Sequence, residues 1–386
     1  MRSPGRLIQI GLAIVLCMAP STPCSACLWD DDTLRTEAKG LPGIAEILTG
    51  RIERNPPLYY EMRLERNAAL LAADPDNLDA YDNAAVAADR LGRGDEAIEW
   101  MAKKRAALDR SPNPEHEDRY LANLGTFHAH RWIKNGADRE DMNDLETARD
   151  LIAAAIELNP DAHFGREKYQ LLAIRWILEA PDLAGTEPRP TLLSVPEAEF
   201  DRYDREQLDE AISGLSGLMA LGNAWESVDV LEALAFSLSR RWHGNLAVVA
   251  RLRLDELVAA GKTSMNPAWD AEMSPYIPGT RNNGEITRWF KKARAEADSW
   301  RAAREQYMLA KLQAGQHPDT HPDFWKGWKS PSGPPRMPNG FFGYQGMALL
   351  FLTIKLAVIL PIVAAVSLYA VRRWRRHRRL SAHASA

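Results

Sequence analysis

The stretch Leu78–Asp109, LDAYDNAAVAADRLGRGDEAIEWMAKKRAALD, restricts the fold more than any other part of this chain. Tyr81, Ala84, Ala85 and Ala88 recur at helical spacing, Gly92 and Gly94 interrupt the pattern, and Ala97, Ile98, Met101 and Leu108 resume it. Two periodic stretches around a glycine turn predict an αα-hairpin. The alanines let the two backbones approach closely. A hairpin of this kind cannot bury its apolar face alone and must stack on neighbours.

Further pairs follow. Leu121, Leu124, Gly125 and His128 begin a second unit, and Ala148, Ile152, Ala155, Ile156 and Pro160 close it, with extra residues over 137–147. A third has a first helix over Arg166–Leu178, a Pro-rich insertion over 181–200, and then Ala211, Leu215 and Leu218. A fourth has Leu231, Leu234, Ala235 and Leu238 before Gly244, and Ala247 and Leu254 after it. Upstream, Leu70, Leu71 and Pro75 read as the end of a preceding unit. Small residues, glycine and proline at these offsets resemble the tetratricopeptide repeat. The resemblance implies an all-α fold, a right-handed solenoid of helix hairpins with insertions over 78–260. An N-terminal segment with a capping helix (27–77) precedes it. A capping region (261–314) follows, with a long polar helix from about Glu285 to Gln313. Residues 315–344 read as a Pro/Gly-rich tether.

Both ends are apolar. Arg2 and Arg6, the apolar run Leu7–Ala19 and small residues to Ala26 make residues 1–26 a signal peptide. Met347–Val371 is apolar except for Lys355, long enough to span a bilayer of about 30 Å, so residues 345–371 read as one transmembrane helix. The tail 372–386 carries six arginines, which hold the C-terminus in the cytoplasm. The expected protein is single-pass in the cell membrane, with its ectodomain on the periplasmic or extracellular side. Cys17, Cys24 and Cys27 all lie in the first 27 residues, so no disulfide staples the ectodomain. Cys24 also stands where a lipid-attachment site at Cys27 needs a leucine-like residue. The net charge of −4 includes the basic tail, so the ectodomain is more acidic still. That argues against nucleic acid as a partner.

The resemblance places a partner groove on the first helix of each pair. Its lining would include Asp82, Asp89 and Arg90 in the first unit, Arg119, Thr126 and His130 in the second, and Phe164, Glu167 and Arg175 in the third. Asn83, Asn123 and Lys168 share one position of the repeat. Asp82 and Val86 stand where a carboxylate-clamping subclass has Lys and Asn, so the groove suits a basic or amphipathic peptide better.

No phosphate loop, HExxH or GxSxG motif occurs, so no catalytic residue, metal ligand, cofactor or small-molecule substrate is assigned. His128 and His130 are two apart on a helix and point to different sides. Trp29-Asp30-Asp31-Asp32 reads as a solvated acidic end, and the His317-Pro-Asp and His321-Pro-Asp tandem as tether composition. The expected function is a membrane-anchored scaffold or assembly factor that binds a protein or peptide, and not an enzyme. Two alternatives remain: an enzyme whose site is built on the 137–147 and 181–200 insertions, and a membrane-linked signalling or stress sensor.

Overall fold

The computed structural model describes residues 28–160, 165–181, 190–195, 200–202, 204–222, 224–269 and 284–338. The expected signal peptide, transmembrane helix and basic tail lie outside these residues. No helix among the described residues is long and apolar enough to cross a membrane.

The described residues form α-helices and no strand. In chain order they are α1 (Asp31–Lys39), α2 (Ile44–Thr49), α3 (Pro57–Ala73), α4 (Leu78–Arg90), α5 (Gly94–Arg110) and α6 (Pro114–Lys134). Then come α7 (Asn143–Leu158), α8 (Arg166–Glu179), α9 (Arg205–Leu221), α10 (Val228–Arg240), α11 (Gly244–Ala259) and α12 (Gly284–Gln313). Local chemistry sets many of the boundaries. The side chains of Asn77, Asn113, Asp204 and Ser227 accept first-turn N–H groups of α4, α6, α9 and α10. Pro57 and Pro114 start α3 and α6, where a missing N–H does no harm. Gly92 turns the chain between α4 and α5 at φ +83°, a left-handed conformation that favours glycine.

From α3 to α11 each helix packs on the next. The predicted pairs α4–α5, α6–α7 and α10–α11 are present, and α8 and α9 pair across the Pro-rich insertion. The 137–147 insertion is shorter than expected, because α7 already begins at Asn143. Trp132 Nε1 donates to the carbonyls of Asp138 and Asp141, and the Arg139 guanidinium donates to Ile177 O, so this loop is tied down. In the second insertion, Leu192, Leu193 and Val195 enter the main core.

Two expectations need correction. The long helix α12 does not simply close the far end of the stack. It packs on α11 and also on α2 and α3, joining late elements to early ones. Nor is the start of the 315–344 segment a tether. His317 stacks on Tyr59, and Phe324 is buried with Tyr59, Met308 and Leu312. Aromatic residues spaced along this Pro-rich stretch bury enough apolar surface to fix it against α3 and α12.

Candidate functional site

Of the candidate groove residues, Asp89 and His130 bond each other, whereas Asp82, Arg90, Arg119 and Thr126 bond groups outside the set. Asp82 on α4 receives Lys104 Nζ on both carboxylate oxygens at 2.7 Å, and Asn123 Nδ2 at 3.0 Å. Burial pushes this carboxyl up, yet Lys104 and His116 outweigh it and hold it below its usual range. Asp89 lies 2.8 Å from His130 Nδ1 through each oxygen and is likewise held low against burial, by His130 first. Arg90 donates to Leu221 O at 2.6 Å. Arg119 bridges Asp79 and Glu115 and lies over the Trp29 ring. Thr126 accepts from Gln170 Nε2 at 3.1 Å. Glu167 is buried, which lifts its carboxyl to about 7 although Arg166 opposes the shift. Arg175 keeps partial exposure. Phe164 lies outside the described residues.

The surface shared by α4, α6 and α8 is occupied by the chain itself. Asn123 brackets Trp29, accepting its N–H at 2.7 Å and donating to its carbonyl at 3.1 Å. Asn83 accepts the N–H of Asp31 at 3.1 Å. Asn83 and Asn123 therefore grip the main chain two residues apart, on either side of the Asp30 cap where the segment enters α1. Further along, Arg166 pairs with Glu37 at 3.2 Å. The seated segment is acidic, whereas the lining read from sequence suited a basic or amphipathic one. Arg63 and Arg166, outside that lining, supply much of the difference.

Arg63 on α3 anchors the segment. Its side chain is fully buried and bonds Asp30, Asp32 and Asp319, with Tyr59 hydroxyl against it. Asp30 and Asp32 are thus not a solvated end: Arg63 holds both, and Asp30 is 5% exposed and caps α1. Burial, then the neighbouring Asp32, raises the Asp30 carboxyl, whereas Arg63 and Arg35 overcome burial to hold Asp319 well below its usual range. Sequence reasoning missed Arg63. Its signal was its place with Tyr59 and Asn67 on the buried stripe of α3, where a lone arginine needs acids from elsewhere.

No family model matches the chain, and no match emerges among curated proteins or solved structures. The chemistry must therefore be read from the residues.

His128 and His130 go to separate acids, Asp144 and Asp89. Asp79, Asp82 and His116 place ligand atoms within 4.8 Å of one another, but Lys104 and Arg119 already supply positive charge to the two carboxylates. A cavity of about 350 Å³ runs between the seated segment and residues 318–325, with Asp30, Tyr60, Arg54 and Arg90 in its walls.

Proposed function

We propose that this protein is a membrane-anchored, extracytoplasmic scaffold built from tetratricopeptide-like hairpins in a right-handed solenoid, which holds a peptide segment across α4, α6 and α8. The grip of Asn83 and Asn123 on the backbone at Trp29 and Asp31 carries this reading. Side-chain amides that bond main-chain N–H and C=O groups recognise a peptide backbone whatever its side chains. The flanking arginines add a preference for acid. In the chain alone, residues 28–39 fill this role, and a partner segment of the same chemistry exchanges with them.

The test is a photo-crosslinking residue at Arg175 in the full-length protein in its native membrane. One discrete adduct, strengthened when Asn83→Ala and Asn123→Ala loosen the internal segment, is the expected result. No adduct in either background would remove the scaffold reading.

A further inference from the structure

Between α11, α12 and the connection 52–56 before α3 lies a cavity of about 660 Å³. Arg54, Arg253, Arg294, Arg301, Arg304 and Lys262 all line it. Trp225 forms one wall, with the guanidinium of Arg253 3.6 Å from its ring centre, Arg294 at 5.1 Å and Arg301 at 5.3 Å. Attraction to the indole face offsets part of the repulsion among three cations so close together.

The remaining repulsion is unbalanced. Glu256 accepts from Arg253 at 2.8 Å and from Arg294 at 3.1 Å, and Asp298 accepts from Arg294 at 3.2 Å and from Arg301. Two carboxylates thus serve three guanidiniums. Glu226 is engaged by Lys262, and Arg304 reaches out to Glu53. Arg253 is 6% exposed, yet its Nε has no hydrogen-bond partner, and the buried Nε of Arg301 has none either. A buried N–H left unbonded is costly. Burial, with Arg90 and Arg301 adding to it, lowers Arg54 to about 10, and burial with Arg294 beside it lowers Arg253.

We propose that this cavity binds a phosphate ester. Six cations line the cavity against the four acids Glu226, Glu256, Asp298 and Glu305, and a dianion there balances that surplus. Arginine forks suit the several oxygens of phosphate better than lysines do. The volume exceeds that of a bare phosphate group, which leaves room for an organic remainder beside Trp225. A soluble metabolite and a lipid headgroup share this chemistry. The inference stands apart from the peptide-binding reading, since neither Arg301 nor Asp298 bonds the segment 28–39.

The experiment titrates the full-length protein in neutral detergent with glycerol 3-phosphate and, separately, with dihexanoylphosphatidic acid, followed by calorimetry at fixed ionic strength. Saturable one-to-one binding of at least one probe is expected. Arg301→Gln should weaken it about tenfold or more, the loss of one charge-assisted bond. Asp298→Asn, which removes a competing carboxylate, should tighten it severalfold. It also carries the test if Arg301→Gln fails to fold. Stronger binding of the lipid probe assigns a headgroup, and equal binding assigns a soluble ester. No saturable binding of either probe, or binding indifferent to both substitutions, overturns the proposal.

Discussion

Arg63 on α3 and Asp319, 256 residues further along, face each other through two parallel hydrogen bonds, Nε to Oδ2 at 2.9 Å and Nη2 to Oδ1 at 2.8 Å. The same guanidinium holds Asp30 and Asp32 at 3.0 Å. One buried cation thereby ties the first described residues, α3 and the segment after α12 into one body. Removing it leaves acids without a counter-charge.

Arg63→Ala should therefore cost about 3–5 kcal/mol, the range for breaking a buried ion pair from one side. Arg63→Lys keeps the charge but not the fork, and should fall between. Urea unfolding of the purified protein measures both. A loss for the alanine variant below about 1 kcal/mol, as for an exposed pair, would show that the cluster is not structural.

The pH dependence has two opposed parts. Asp319, Asp82 and Asp89 are depressed below 3.8, so their contribution is present above that value and is lost as pH falls through their folded values. Glu167 is raised from 4.5 to about 7, so its contribution is full below 4.5 and disappears as pH rises toward 7. Glu167 alone is worth about 3 kcal/mol across that window. Melting temperature against pH should flatten between 4.5 and 7 in Glu167→Gln. An unchanged slope would mean that Glu167 titrates normally.

Asn123→Ala removes both bonds to Trp29, and Asn83→Ala removes the bond to Asp31. Each should destabilise the fold by about 1 kcal/mol per bond lost. The clearer readout is local. Amide exchange at Trp29 and Asp31 should speed up well before that of α10 and α11. Equal acceleration everywhere would mean that the segment is not separately held.

Glycines give a paired test of packing. A Cβ at Gly214 on α9 would lie 2.1 Å from Tyr169 Cδ2 on α8, so Gly214→Ala must push the two helices apart, at about 1–3 kcal/mol. At Gly244, the first residue of α11, nothing lies within 4 Å, and alanine there should stabilise by about 0.4–1 kcal/mol. Thermal unfolding of the two variants should move in opposite directions.

The helices themselves were legible because their causes are local. Asn77, Pro114 and Gly92 act within a turn or two of where they stand, and the alanine stripes of α4 and α5 need only periodicity to be seen. The candidate site positions were legible as places on a helix. Asp89 and His130 do face each other across 41 residues. What periodicity could not reveal was that they satisfy one another.

The sequence alone determined an all-helical chain of paired elements with acids and amides on one side. Only the tertiary structure decided what covers that side. The choice rests on long-range charge pairing: Arg63, desolvated on α3, requires acids, and the chain brings them from residues 30, 32 and 319. Neither end carries a local signal of that destination, since the attraction exists only once both are removed from water together.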